Sequence, residues 1–273
     1  MPSKSILKKE FSFYVSSDPD TGAQNVSPDG STFRVNLNNP IMIPKNALSC
    51  EVSTIQSNIW NDSNNISAQF GNNIFEFTTN HSGLPVTYNF VLPDGLYSLS
   101  GLNAYLSTQF VNNGLPSNLI TLSGDESTQK TILTFLVAGD QVDFTVANSV
   151  REVLGFNARL APLVPQPAGY NEFSDNSAQF NRTNSYLIEC DLVQAGIAVN
   201  NFNQGIVASV PINVPPGSQI TYEPRTPLVI DASDLIGNTR QVLNIRLLNQ
   251  SLETATTNEI FSFVLRIVFY VPV

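Results

Sequence analysis

Phe261-Ser-Phe-Val-Leu-Arg-Ile-Val-Phe-Tyr-Val-Pro-Val273 carries an apolar side chain at every odd position, from Phe261 through Phe263, Leu265, Ile267, Phe269 and Val271 to Val273. Its even positions are Ser262, Val264, Arg266, Val268, Tyr270 and Pro272. Successive side chains of a strand point to opposite faces, so this spacing predicts a strand with one fully buried face. Such a strand needs neighbours to pair with and a second layer to cover its odd face. The fold class that follows is all-β, a sandwich or barrel.

The same alternation recurs upstream. Phe33, Val35 and Leu37 alternate with Arg34, Asn36 and Asn38, and Leu48, Cys50 and Val52 alternate with Ser49, Glu51 and Ser53. After Thr54 the phase slips to Ile55, which predicts a bulge before Ile59-Trp60. Past residue 181 come Tyr186/Ile188/Cys190/Leu192, Ile206/Ala208/Val210/Ile212, Ile220/Tyr222, Leu228/Ile230 and Leu243/Ile245/Leu247. Together these runs make an eight-stranded jelly roll, 31–69 with 182–273. Phe11 to Val15 reads as a short strand inside an N-terminal arm, 1–30, whose Lys4, Lys8 and Lys9 are three of the chain's five lysines.

Helix signals interrupt the strands only within 70–160, which reads as an inserted small α+β module. Leu99, Leu102, Leu106 and Phe110 lie on one helical face, with Ser98 as N-cap and Gly114 as the left-handed stop. Ser149-x-x-Glu152 predicts a capping box for a second short helix ending at Gly155. A hairpin joins Phe75/Phe77 to Val86/Tyr88/Phe90 across Asn80-His-Ser-Gly83. The 161–181 stretch, with Pro162, Pro165, Pro167 and Gly169, reads as a loop that covers a neighbour.

Composition narrows the function classes. A formal charge of −9 argues against bulk nucleic-acid binding, which needs a basic face. The start of the sequence shows no signal-peptide core, and no apolar run is long enough for a helical membrane span. Cys50 and Cys190 fall in strand-like runs and are expected as reduced, buried thiols. Catalysis finds little support, because the one histidine, His81, sits in a polar turn. One histidine and two distant cysteines make no zinc ligand set. Asp18, Asp20 and Gly22 lack the distal ligands of a calcium loop and read as a Pro/Gly turn. Glu189 and Asp191 lie ~6.6 Å apart on one side of a strand, within reach of an inverting glycosidase geometry. With no second carboxylate cluster they read as a structural face. No catalytic residue, metal or cofactor is assigned.

Several motifs in fixed order resemble the penton, or minor capsid, protein of virophages and polinton-like viruses. They are Asn39-Pro-Ile-Met-Ile-Pro44, the strand through Cys50-Glu-Val52 to Ile59-Trp-Asn61, Pro93-Asp-Gly-Leu-Tyr-Ser98, and Val153-Leu-Gly-Phe156. Tyr186-Leu-Ile-Glu-Cys-Asp-Leu-Val193, Ala208-Ser-Val-Pro211 and Tyr222-Glu-Pro224 follow. The resemblance implies a non-enzymatic virion protein, a single jelly roll with an inserted outer module. It implies a homopentamer at the fivefold vertices of an icosahedral capsid, beside a separate major capsid protein. The N-terminal arm would then face the interior proteins or genome. The alternative is a carbohydrate-binding or receptor-attachment sandwich, for which Trp60 and Tyr170 are the candidate loop aromatics.

Overall fold

A computed structural model describes residues 5–194, 196–199 and 202–273. In chain order the strands longer than two residues are β1 (Ile6–Ser16), β2 (Thr32–Met42), β3 (Ser49–Trp60), β4 (Ile74–Thr79) and β5 (Val86–Val91), followed by helix α1 (Leu99–Asn112). Then come β6 (Ile120–Asp125), β7 (Lys130–Phe135), β8 (Gln141–Asp143), the one-turn helix α2 (Arg151–Leu154) and β9 (Asn171–Phe173). The chain finishes with β10 (Ser185–Cys190), β11 (Ile206–Pro211), β12 (Gln219–Tyr222), β13 (Thr239–Asn249) and β14 (Ser262–Pro272). It divides into two compact units, one of residues up to 63 together with 183–273, the other of residues 64–182.

The first unit is a jelly roll. One sheet runs β1-β14-β3-β12 and the other β11-β10-β13-β2, with Ala23–Gln24 paired outside β2, so successive strands cross between sheets except at the β10–β11 hairpin, the order of a jelly roll. The odd face of β14 lies in the core, where Phe263, Leu265 and Ile267 meet Leu243, Ile245 and Leu247 of β13 and Tyr186 and Ile188 of β10. Phe261, just before β14, packs edge to face on Phe33 of the opposite sheet at 5.3 Å. The expected phase slip in β3 is a bulge: Val264 pairs with Gln56 but Leu265 with Thr54, leaving Ile55 unpaired. That extra residue lets both Val52 and Ile59 face inward.

The N-terminus departs from the sequence reading. Residues 6–16 are no free arm but an edge strand, paired with β14 along its whole length from Ile6↔Pro272 to Ser16↔Ser262. Backbone pairing needs no side-chain pattern, and residues 6–12 are exposed on both faces, so periodicity advertises only the Phe11 to Val15 part of the strand. Lys8 and Lys9 therefore belong to a sheet, which removes them from any arm reaching toward a genome; Lys4 lies outside the described residues. The count of eight survives with one exchange. Leu228 and Ile230 contribute only a two-residue pairing, Ile230–Asp231 with β3, and β1 takes that place.

In the second unit one sheet runs from Leu160–Ala161 through β8 and β4 to β5, and the other is β9-β7-β6. Helix α1 buries Leu102, Leu106 and Phe110 as its spacing predicts, and the Ser98 hydroxyl accepts from Gly101 N at 3.0 Å. Phe110 meets Phe77 and Phe90 at ring separations of 5.3 and 5.7 Å. The capping box at 149–152 does not form. Val150 is the N-cap, without a side-chain bond, and Ser149 Oγ is buried with no partner.

The Pro-rich stretch 161–181 belongs to this unit and is bonded along it. Gly139 N donates to Gln166 O, Gly169 N to Phe135 O and Gln179 N to Val153 O, all within 2.9 Å. Arg159 holds the carboxylates of Glu172 at 2.8 Å and Asp175 at 3.0 Å. The segment reads as a loop in sequence because these partners sit far apart along the chain.

Candidate functional site

The residue types that could carry chemistry are placed in structural roles. Cys50 and Cys190 are free thiols in the sandwich core, pushed up to about 11 and about 12 chiefly by burial. A nucleophilic cysteine needs the opposite shift. His81 is exposed in the β4–β5 turn, whose conformation is set by buried Asp140. That carboxylate accepts from Thr79 Oγ1 and Asn80 N, both at 2.9 Å. Asp18 accepts from Asp20 N at 2.9 Å and opens a single 3-10 turn closed by Gly22 at φ 104°, a plain turn.

Glu189 and Asp191 stand two residues apart beside β13, opposite Arg246 and Asn244. β10 ends at Cys190; the register shift between Ile188 and Glu189 lies on its β11 side, while a bond from Asp191 N to Asn244 O at 3.2 Å carries the β13 ladder one residue further. The Glu189 carboxylate pairs with Arg246 Nε across the sheet. Asp191 accepts from the backbone N and the Nδ2 of Asn244, at 2.9 and 2.5 Å. Each carboxylate is thus occupied by β13. Of the two nominated aromatics, Trp60 is the last residue of β3, opposite Gln219, and Tyr170 packs against the core of the second unit. Neither forms a platform at a loop tip.

A half-buried carboxylate that sequence did not single out ties the end of β3 to the segment before β14. Asp62, just past β3, accepts from Asn258 N at 2.7 Å and Thr257 Oγ1 at 3.1 Å, while its Oδ1 is shut from solvent without a partner. Beside it, Ser63 N donates to the Tyr186 hydroxyl, which burial pushes up to about 12. Burial raises the Asp62 carboxyl above its ordinary range, against the opposing effect of those donated bonds. A raised value in the folded state favours the protonated form, so the stability it contributes is present below the ordinary value near 3.8 and lost as pH rises through the folded one. The stability difference between wild type and Asp62→Asn is accordingly expected to be greater at pH 4.5 than at pH 7.5. Urea melts of both proteins at the two pH values measure it, and a pH-independent difference contradicts it.

The open side of the sandwich between β1 and β2 carries the other distinct surface. β1 is the edge of its sheet. Its ladder with β14 ends in bonds from Val273 N to Ser5 O and Ser17 N to Phe261 O, so the odd residues bond inward. The N–H and C=O groups of Ile6, Lys8, Glu10, Ser12 and Tyr14 therefore point away from the sheet. Facing this edge, the β2–β13 register jumps from Asn36↔Val242 to Ile41↔Arg240, and residues 37–40 bulge out opposite Gln241 alone. A groove of about 450 Å³ lies between, lined by Phe11, Phe13, Leu37, Pro40, Ile41 and Met42, with Ser12 and Asn39. Ile41 is buried at its floor, while Phe11 is 37% and Met42 64% exposed at its rim. The sequence signals were the Phe11/Phe13 alternation and Asn39-Pro40 breaking the β2 pattern.

Among the described residues no group of three or more His, Cys, Asp or Glu side chains could hold a metal ion. No helix there is long and apolar enough to cross a membrane. No family model matches the sequence, and no curated protein matches it. Among solved structures the fold is similar to that of the selenomethionine-labelled mavirus penton protein, with a TM-score of 0.49 and 8% identity over 96% of this chain and 99% of that one.

Proposed function

We propose that this chain is a structural capsid protein whose homopentamer forms the penton at the fivefold vertices of an icosahedral virus particle, beside a separate major capsid protein. The observation that carries the reading is the sandwich itself. Eight strands in the sheet orders β1-β14-β3-β12 and β11-β10-β13-β2 form a jelly roll, interrupted between its third and fourth strands by a unit with its own core. The penton-like motifs fall on this frame. Asn39 to Pro44 forms the bulged end of β2, Val153-Leu-Gly-Phe156 the α2 turn, and Tyr186 to Cys190 the strand β10.

The chemistry of the surface supports a repeated contact. Charged residues are only 13% of the chain, so amides and hydroxyls cover much of it, and such surfaces lose less on burial than ionised ones. A contact repeated around a ring is heterologous and must close by rotation or grow into a filament, and a vertex fixes closure at five. The role assigned here is architectural, and neither cofactor nor metal enters it. Particles assembled from the major capsid protein with and without this chain test the proposal by electron cryomicroscopy. Five copies of the chain filling each vertex, and empty vertices without it, are expected; vertices filled in its absence overturn the reading.

A further inference from the structure

We propose that the free edge of β1 and the groove between β1 and β2 form a docking site for an extended segment of a different polypeptide, added antiparallel to β1 as a further strand. That segment is apolar at alternate positions and carries a carboxylate on the same face. The inference stands on the surface alone and does not depend on a ring of five.

Three features specify this occupant. The first is backbone chemistry. Among the described residues the outward N–H and C=O groups of Ile6, Lys8, Glu10, Ser12 and Tyr14 form an unpaired ladder, and an added strand satisfies such groups directly. The second is shape. Phe11 and Phe13 on one wall and Leu37, Ile41 and Met42 on the other leave an apolar slot for the side chains that a strand presents at every second residue.

The third is charge. Arg240 stands directly across the ladder from Ile41 and shares its inward face, and Arg240 Nε is closed from solvent with no acceptor. Lys9 stands across from core residue Phe269 and so also projects on the inward side, two residues along from Phe11. Among the described residues neither cation has a carboxylate partner within ion-pair distance; the one carboxylate of β1, Glu10, is held by Lys8 at 2.8 Å. A second copy docked through its own β1 would bring Lys9 and Arg240 again and no free carboxylate. An acidic partner strand supplies what is missing. Running antiparallel to β1, it passes Phe13 and Phe11 first and reaches Lys9 afterwards, so its carboxylate follows its apolar residues.

The probe is a blocked octapeptide, Val-Thr-Val-Thr-Val-Thr-Glu-Thr, titrated against the full chain by fluorescence anisotropy beside the same peptide with lysine in place of glutamate. The glutamate peptide is expected to bind at least tenfold more tightly. Lys9→Glu should reverse that preference. Ser12→Pro removes one outward N–H at a position where an edge strand tolerates proline, and should weaken binding tenfold or more with an unchanged circular dichroism melt. Lys9→Glu keeps the test decisive if the proline variant fails to fold. Equal affinity for both peptides, or no binding of either, overturns the proposal. So does a wild-type self-association that Ser12→Pro abolishes while the peptides fail to bind, because the occupant would then be a second copy.

Discussion

Phe261→Ala is expected to lower the unfolding free energy of the jelly roll by about 3–5 kcal/mol, the range for truncating a fully buried phenylalanine. The ring is completely shielded and meets Phe33 of the opposite sheet edge to face, so its loss opens a cavity between the two layers. The backbone around it cannot slide in to fill the space, because Phe261 N donates to Ser17 Oγ and its O accepts from Ser17 N, both at 3.0 Å. Against a total of roughly 5–15 kcal/mol for a domain, that loss threatens folding at physiological temperature. Tyr14→Ala is the matched control: Tyr14 is 62% exposed on β1, and removing its side chain should cost no more than about 0.5 kcal/mol. Urea denaturation of both variants decides the point, and similar midpoints for the two would contradict the assigned faces.

The second large effect belongs to the inserted unit. Gly155 ends α2 at φ 81°, and a Cβ there would lie 2.3 Å from Asn176 O, the backbone of the Pro-rich stretch folded against it. Gly155→Ala therefore combines about 1–2 kcal/mol for a left-handed non-glycine residue with a further ~1–3 kcal/mol for forcing two backbones apart. It also disturbs the bond from Asn176 N to Gly155 O at 2.8 Å. Gly114 after α1 has a similar φ of 73° but nothing within 4 Å of the corresponding Cβ. Gly114→Ala should then show the conformational part alone, about 1–2 kcal/mol. The difference between the two variants, read from thermal melts, isolates the close approach; equal losses would mean the 176 segment is not packed where the structure has it.

What the sequence made legible follows from which elements have one wet and one dry face. β14, β13 and β10 alternate because the core lies on one side of each, and α1 shows its stripe for the same reason. The bulge at Ile55 was visible as a slip of phase. Of β1 only Phe11 to Val15 was visible, since its first seven residues are exposed on both faces and only the ladder to β14 holds them. The 161–181 stretch was misread because its order comes from backbone bonds to residues such as Phe135, Gly139 and Val153, which leave no local pattern.

The sites divide similarly. Glu189 and Asp191 looked like a carboxylate pair by spacing, and β13 occupies both, Arg246 pairing with Glu189 and Asn244 donating to Asp191. Asp62 was passed over because one carboxylate among many polar residues carries no signal until Thr257 and Asn258, nearly 200 residues later, are placed beside it. The groove needed two segments from opposite sheets, Phe11–Phe13 and Leu37–Met42, and no one-dimensional pattern joins them.

The proposed penton is a closed ring of five. Native mass spectrometry of the purified chain tests it most directly: a single assembly at five times the 29.8 kDa subunit mass is predicted, unchanged by chelator or by reducing agent. A monomer, a trimer or an open-ended series of masses at the concentrations of particle assembly would contradict it.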